Sequence, residues 1–427
     1  MSVNPENSVH AIQRAIAYLK SPQAIRDRCT QLFELALDGQ LEHFEVNLDQ
    51  LPRVAQYVSD ITLKTYPDLK IPFHSRWRHF EVGDPFRLDN FYTQMRSLDK
   101  RESVRASIDL AVVSVLLDAG AGQTWRYHEA QTGQVWGRSE GLAIASFHLF
   151  CSGAFSSDPN QPLRVDAKAL RDFSLNQLAA GFQVTASNPL VGLEGRLHLL
   201  QTLGEALERS PHLFGTDPAR PGNLADALEQ QAIPSTNSNP STQRILKAES
   251  ILAAVLDGFS PIWPGRVAVG GVNLGDVWPH PALPQSSVGS NLVPFHKLSQ
   301  WLTYSLLEPL QQASLTVVEL DRLTGLPEYR NGGLFLDLGV LRPKHKAVTQ
   351  QQHPPGSSVI VEWRALTVSL LDRVAPLVRD SLNLSASDLP LARVLQGGTW
   401  SAGRAIARDR RSDGSPPIQI ESDGTVF

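Results

Sequence analysis

The chain has 427 residues, of which 42% are hydrophobic and 19% are charged, a balance that supports a sizeable core and excludes global disorder. Its formal net charge of −4 lacks the basic surplus of a nucleic-acid binder. The chain has only two cysteines, Cys29 and Cys151, which are too few for a disulfide framework or a cysteine zinc site. No run reaches the roughly 18 apolar residues of a membrane span, and the polar N-terminus is unlike a signal peptide. We therefore expect a cytoplasmic protein that binds neither nucleic acid nor membrane.

Helical periodicity dominates the chain, because apolar residues recur three or four positions apart in most segments. The predicted helices cover residues 107–117, 166–180, 189–207, 241–256, 297–310 and 359–374. Strand signals are confined to residues 134–136 and 267–272, which excludes a doubly wound α/β fold. The sequence predicts a mainly α-helical, single multi-helix domain with few short strands. Residues 1–70 would form an N-terminal helical lobe, and residues 71–427 the main helical domain.

Residues 137–141 match the G-x-S-x-G nucleophile elbow of serine hydrolases. That motif needs a strand before the serine and a helix after it. A helix is predicted from residue 142, but the sequence shows no good strand before the motif. We therefore favour Ser139 as the N-cap of this helix over Ser139 as a nucleophile.

Residues 262–280 combine a carboxylate, two indoles, an imidazole and a guanidinium in a stretch without helical periodicity. A helical scaffold usually carries its chemistry on such loops. Asp276 follows a glycine and precedes two apolar residues, where partial desolvation would sharpen its electrostatic effect. The structural alternative is that Asp276 only caps the next segment. The other functional candidates in this stretch are Arg266, Trp278 and His280.

Two further clusters place charged side chains beside glycine or aromatic residues. Glu328, Tyr329 and Arg330 precede a double glycine, which would let the backbone approach a ligand, and Asp337 follows. Residues 74–79 hold two arginines and two histidines around an indole. That combination suits an anionic or sugar ligand, although a solvated basic face explains it equally well.

The chain resembles the uracil-catabolism protein 4 family of fungi and bacteria. The matching stretches are residues 72–80, 109–122, 125–127, 138–142, 188–196, 293–301, 328–337, 361–364 and 422–427. The resemblance places the protein on a route that attaches uracil to ribose phosphate and degrades it to urea and a three-carbon acid. Ring opening on that route leaves urea bonded to ribose. The resemblance therefore implies an enzyme that hydrolyses the N-glycosidic bond of ribosylurea or its 5′-phosphate.

A weaker resemblance is to the queuosine-salvage nucleoside glycosylases, which are similar in shape to helical base-excision DNA glycosylases. Residues 328–330 (Glu-Tyr-Arg) stand where those enzymes carry Asp-Tyr-Arg, and residues 297–300 (Lys-Leu-Ser-Gln) are similar to their Lys-Arg-Ala-Gln helix start. Their catalytic Asp lies in a loop shortly before that helix, so the resemblance implies that Asp276 takes its place. The Arg beside that Asp is replaced here by Gly275.

Cleavage of the C1′–N bond develops positive charge on the sugar ring, and a fixed carboxylate either stabilises that charge or activates water. We assign this role to Asp276. Urea is a poor anionic leaving group and needs a proton donor, for which Glu328 and His280 are the candidates. The residues predicted to bind the substrate are His74, Arg76, Trp77, Arg266, Trp278, Lys297, Tyr329, Arg330, Asp337 and Glu362.

Two other functions stay open at this point. A non-catalytic partner that binds a pathway intermediate or enzyme would not need an acid, an imidazole and a guanidinium in one closed pocket. A ring-opening amidohydrolase of the same route would normally need a histidine metal cluster. The sequence shows none, since Thr132 stands where a zincin would have its second histidine after His128 and Glu129. We therefore expect no metal and no cofactor, with a small ribosyl compound as substrate; assembly as a homo-oligomer is left open.

Overall fold

The computed structural model describes residues 5–83, 86–118, 120–234, 244–263 and 267–421. These residues are mainly helical, which confirms the predicted fold class. In this part of the chain no helix is both long and apolar enough to span a bilayer. The helices are α1 (Pro5–Leu19), α2 (Pro22–Leu37), α3 (Leu51–Thr65), α4 (Trp77–Phe80), α5 (Phe86–Gln94), α6 (Lys100–Leu116), α7 (Arg138–Cys151), α8 (Ala167–Asp172), α9 (Leu175–Gly181), α10 (Leu193–Arg209), α11 (Pro211–Phe214), α12 (Leu224–Gln231), α13 (Ala248–Phe259), α14 (Lys297–Gln312), α15 (Tyr329–Asp337), α16 (Ala347–Gln350), α17 (Ser358–Leu382), α18 (Leu391–Val394) and α19 (Trp400–Arg410).

The strands are short and form small separate sheets. They are β1 (Phe44–Val46), β2 (Tyr127–Glu129), β3 (Gln134–Trp136), β4 (Ile233–Pro234), β5 (Arg244–Lys247), β6 (Ala268–Val269), β7 (Val272–Asn273), β8 (Val277–Pro279), β9 (Leu292–Pro294), β10 (Leu315–Val318), β11 (Leu341–Pro343), β12 (Gln352–His353) and β13 (Gln419–Ile420). The antiparallel pairs are β1–β11, β2–β3, β4–β5, β6–β7 and β8–β9, and the parallel pairs are β5–β10 and β12–β13.

The described residues fold into two compact units. The first contains residues 5–74, 267–300 and 320–421, and the second contains residues 75–263 and 301–319. The predicted N-terminal lobe, residues 1–70, therefore falls in the first unit together with later segments. Its independence as a lobe stays a prediction.

Helix α17 runs through the core of the first unit, where it packs against α2 and α3. Every residue from Val359 to Leu371 is buried, including Glu362 and Arg364. Charged groups in such a position must be paired or hydrogen-bonded, because an isolated buried charge is very costly. We therefore expect Glu362 and Arg364 to have polar partners inside the first unit.

In the second unit, helix α6 is buried from Ala106 to Leu116. Its one buried carboxylate, Asp109, accepts hydrogen bonds from the N–H groups of Val165 (3.0 Å) and Gly222 (2.6 Å) and from Nε of Arg220 (3.0 Å). This network joins α6 to the segments before α8 and α12.

The predicted helices at 107–117, 297–310 and 359–374 are confirmed within α6, α14 and α17. The continuous helix predicted at 166–180 is wrong, since α8 ends before Phe173 and α9 begins after it. Ser174 causes the break: its side chain and that of Gln177 form a capping box that starts a new helix.

The helix start predicted at residues 187–189 is also wrong. Asn188 does not cap a helix; its side chain hydrogen-bonds the backbone N–H and C=O of Arg126, both at 2.8 Å. Helix α10 begins at Leu193, after Gly192 in the left-handed region (φ 71°).

The helix predicted over 241–256 begins only at Ala248, because residues 244–247 form β5; residues 241–243 lie outside the described part. The strand predicted at 134–136 is confirmed as β3. Residues 267–272 belong to the β6–β7 hairpin, which turns at Gly270 and Gly271 with positive φ.

The G-x-S-x-G motif lies at the start of α7. The three-residue strand β3 ends at Trp136, directly before the motif. The statement that no good strand precedes the motif is therefore wrong, although the sequence shows a strand signal at 134–136. The N-cap is Gly137 and not Ser139, which lies in the first turn.

Helices α15 and α19 of the first unit touch at Gly403, where an added Cβ would lie 2.1 Å from the carbonyl oxygen of Arg330. Because backbone has to move to make room, we expect Gly403→Ala to lower the free energy of unfolding by about 1–3 kcal/mol. Gly195→Ala is the control, since nothing lies within 4 Å of its added Cβ, and we expect it to leave stability unchanged or slightly raised. Equal melting temperatures for the two variants would contradict this contact.

Candidate active site

Asp276 lies in a tight loop between β7 and β8. Gly275 has φ 68°, a conformation that favours glycine. The Gly275 N–H donates to Oδ1 of Asn273 at 3.0 Å. The Asp276 carbonyl accepts the Phe295 N–H at 2.9 Å. The loop is thereby fixed against the segment that leads into α14.

The Asp276 carboxylate accepts four hydrogen bonds. Arg364 donates to both oxygens, at 2.8 and 2.7 Å. Nε1 of Trp278 donates to Oδ1 at 2.8 Å, and the Lys297 N–H donates to Oδ2 at 3.0 Å. The last bond caps the first turn of α14, so the capping contact of the structural alternative is present. All four lone-pair positions of the carboxylate are in use.

The electrostatics of Asp276 follow from these contacts. Burial alone would raise the pKa of its carboxyl, but the charge and hydrogen bonds of Arg364, with the N–H groups of Lys297 and Trp278, outweigh burial and hold that pKa below its ordinary value. Its side chain is 14% exposed, while that of Arg364 is only 2% exposed. Asp276 is therefore ionised and fixed in orientation.

Arg364 connects the Asp276 loop to the Glu328 segment. Its guanidinium lies over the Phe295 ring, 4.0 Å from the centroid, and its Nε donates to the Pro327 carbonyl at 3.4 Å. Pro327 immediately precedes Glu328, so one planar guanidinium touches Asp276 and the backbone beside the second carboxyl.

Glu328 is the N-cap of α15. Its carboxyl oxygens accept the N–H groups of Arg330 (2.9 Å) and Asn331 (2.6 Å). Burial raises the pKa of Glu328 above its ordinary value, and these N–H groups and the charges of Arg330 and Lys297 only partly oppose burial. Lys297 thus contacts Asp276 through its backbone and acts on Glu328 through its charge.

Gln300 fixes the segment before Glu328. It is fully buried, its Oε1 accepts the Thr324 N–H at 2.8 Å, and its Nε2 donates to Thr324 Oγ1 at 2.7 Å. Asn331 supports the same segment by donating to the Leu326 carbonyl at 3.0 Å. Gln300 and Asn331 therefore hold the backbone of the segment that leads to Glu328.

His280 and Glu362 face each other in the core of the first unit. Nε2 of His280 lies 3.5 Å from Oε1 of Glu362, and both side chains are 1% exposed. The other oxygen of Glu362 accepts the His43 N–H at 3.1 Å, and Nδ1 of His280 accepts the Ala282 N–H at 3.3 Å. Their direct contact with a substrate stays a prediction.

Arg330 and Tyr329 lie in a cluster of cations and rings. The Arg330 guanidinium is 5.1 Å from the Tyr329 ring centroid and 5.0 Å from that of Trp400. On the same Trp400 ring lie the Arg404 guanidinium at 5.6 Å and the His74 ring at 6.0 Å. We call these five residues the cation–aromatic cluster.

Three predicted substrate-binding residues make other contacts. Asp337 forms a bidentate ion pair with Arg411, at 2.8 and 2.6 Å. Arg76 and Trp77 belong to the second unit, where Arg76 pairs with Asp118 at 2.8 Å and Trp77 donates to the Ser305 carbonyl at 2.9 Å. Arg266 lies outside the described residues.

The sequence reasoning missed three residues of the site, Arg364, Trp400 and Arg404. Arg364 is part of the resembling stretch 361–364 and lies in a strongly apolar helical run. A charge at such a position predicts a buried partner, and this signal was available. Trp400 follows two glycines near the C-terminus, and only the packing of α19 on α15 brings it to Arg330.

A known family covers almost the whole chain. The family described as "Protein of unknown function (DUF1688)" matches residues 18–427, and the chain belongs to it. Uracil catabolism protein 4 of Lachancea kluyveri is 40% identical over an alignment of 447 residues, gaps included. This alignment covers 97% of this chain and 100% of that protein. Protein urg3 of Schizosaccharomyces pombe is 41% identical over 421 residues, covering 96% of this chain and 99% of the relative. The family predicted from the sequence is thus confirmed.

Proposed function

We propose that the protein acts in uracil catabolism and hydrolyses the N-glycosidic bond of ribosylurea or its 5′-phosphate. The name of the relative from Lachancea kluyveri supports the pathway. One observation carries the chemistry: Lys297 donates its backbone N–H to Asp276 and acts on Glu328 through its charge, yet the pKa values of the two carboxyl groups are displaced in opposite directions. Two carboxyl groups with opposed pKa shifts are what acid catalysis beside a charge-stabilising carboxylate requires.

In this proposal Asp276 stabilises charge and does not take up a proton. Its four hydrogen bonds leave no lone pair for water. They also fix its oxygens beside the place where the sugar ring would become positive, which is the preorganised arrangement that favours a charged transition state. Of the two roles predicted for Asp276, the geometry supports stabilisation of the sugar cation.

Glu328 would supply and recover the proton. The protonated carboxyl gives its proton to a nitrogen of the urea group as the C1′–N bond breaks, and neutral urea leaves with the bonding electron pair. Water then adds to C1′ and returns one proton to Glu328, which restores the starting state. The cation–aromatic cluster offers ring faces for the ribose and guanidinium groups for its hydroxyls or a 5′-phosphate.

The similarity of residues 328–330 and 297–300 to the queuosine-salvage glycosylases supports the same assignment, because both stretches meet at the carboxyl pair. The direct test is incubation of the purified protein with synthetic ribosylurea, with and without a 5′-phosphate, followed by measurement of urea. Release of urea from either compound supports the proposal. Saturable binding of either compound without urea release would instead support a binding protein.

Glu328→Gln tests the acid. The amide cannot donate a transferable proton, so we expect urea release to fall by about 10²–10⁴-fold. The raised pKa of Glu328 has a second consequence: the wild-type rate should be full below that pKa and decline as pH rises through it, whereas the residual rate of the variant should lack this decline. Rates measured from pH 4 to 9 check both effects. A wild-type decline that persists in Glu328→Gln would assign the acid elsewhere.

A further inference from the structure

The second unit contains a cavity of about 610 Å³, within the range of small-molecule sites. It is lined by α5, α7 and the β2 segment, and none of the residues assigned to the proposed reaction lies there. Its aromatic lining consists of Phe91, Tyr127, His128, Phe147 and His148. The size and the rings indicate a site for a small organic molecule.

Two oppositely charged side chains in the cavity wall form an ion pair with each other. Arg87 donates to both oxygens of Glu129, at 2.8 and 2.7 Å, and each side chain is only 1% exposed. Nη1 of Arg87 donates to the carbonyls of Phe80 (2.5 Å) and Val82 (3.0 Å). Four of the five N–H groups of this guanidinium are therefore engaged within the protein.

Glu129 in turn orients His148. Burial would raise the pKa of Glu129, but hydrogen bonds from Arg87, His148 and Thr132 lower it to about 2, so the carboxylate is ionised. Nε2 of His148 lies 2.9 Å from Oε1 of Glu129. Because an ionised carboxylate only accepts, Nε2 carries a proton, and in the neutral imidazole Nδ1 is then the acceptor.

The imidazole ring of His148 is held in place by its neighbours. Tyr127 stacks on it at an interplanar angle of 17°, and Phe147 meets it edge-on at 89°. Among the described residues, Nδ1 of His148 has no hydrogen-bond partner, and its side chain is 22% exposed where it lines the cavity. A fixed imidazole thus borders the cavity.

We infer that this cavity binds a small, uncharged, flat heterocycle whose ring N–H donates a hydrogen bond to Nδ1 of His148. Aromatic walls favour a flat ligand, and the charges of Arg87 and Glu129 are paired with each other, which favours an uncharged one. Two further ionisable groups of the wall are neutral: burial and nearby Glu129 raise the pKa of Tyr127 to about 12, and burial raises that of Cys151 to about 12.

The test uses two probes that differ only at the donor, 2-pyridone and N-methyl-2-pyridone, titrated into the full-length protein and followed by NMR. We expect 2-pyridone to bind at least about tenfold more tightly than N-methyl-2-pyridone, because only 2-pyridone can donate this hydrogen bond. His148→Phe keeps a ring of similar size but removes Nδ1, so this variant should bind both probes equally weakly.

Equal affinity of the wild-type protein for both probes, or no binding of 2-pyridone, would overturn the inference. So would a His148→Phe protein that still prefers 2-pyridone. The wild-type comparison does not depend on how the variant folds. Urea release from ribosylurea is a separate readout, so failure of either proposal leaves the other testable.

Discussion

Asp276→Asn is expected to reduce urea release from ribosylurea by about 10²–10³-fold or more, the usual cost of removing one preorganised electrostatic group. The amide has no negative charge to set against the developing sugar cation. Its NH₂ group also replaces one of the two oxygens that Arg364 binds at 2.8 and 2.7 Å. The measurement is urea produced per protein molecule, with circular dichroism and the melting temperature recorded on the same samples.

Asp372→Asn is the matched control. Asp372 lies on α17 with Arg364 and pairs with Arg26 through both oxygens, at 2.9 and 3.3 Å, but it has no contact with Asp276 or Glu328 among the described residues. This variant loses an Asp–Arg pair of the same kind, and we expect it to release urea at close to the wild-type rate. Equal rates of urea release for the wild type and Asp276→Asn would remove Asp276 from the mechanism. Equal losses of urea release in Asp276→Asn and Asp372→Asn would mean that Asp276 contributes only to stability.

The helices that could be predicted from the sequence are those whose formation depends on burial of an apolar face. Residues 297–310 and 359–374 repeat apolar residues over several turns, and packing preserves that pattern in the structure. The failures have local hydrogen-bond causes. Ser174 and Asn188 are typical capping residues in the sequence, but Asn188 binds Arg126 across 62 positions, a contact that no local pattern contains.

The candidate site was only half predictable for a similar reason. Asp276, Lys297 and Glu328 were found because each belongs to a recognisable local stretch. Arg364 lies 88 positions after Asp276, so their pairing depends on how the loop packs against α17. The lowered pKa of Asp276 depends on this pairing and the raised pKa of Glu328 depends on its burial, and neither can be derived from composition alone.

Arg364→Met is expected to lower the free energy of unfolding by about 3–5 kcal/mol, because Asp276 is left as a buried carboxylate without its counter-ion. The comparison is Arg26→Met: the Arg26–Asp372 pair has side chains 25% and 29% exposed, where an ion pair contributes about 1 kcal/mol or less. Guanidinium denaturation of both variants measures the difference. Similar losses for the two would mean that Arg364 stabilises by packing on Phe295 rather than through its charge.

The loss in Arg364→Met should also depend on pH and on the residue at position 276. The pKa of Asp276 is lower in the folded protein than its ordinary value, so the stability from the pair is present above the unfolded pKa of about 3.9 and is lost as pH falls through the folded pKa. The wild type and Arg364→Met should therefore converge in stability as the solution is made more acidic. At neutral pH the double variant Asp276→Asn with Arg364→Met should be less destabilised than the sum of the single variants, because no unpaired charge is left buried. Strict additivity would show that Asp276 and Arg364 act independently, and the single charge-stabilising unit on which the proposed hydrolysis depends would then not exist.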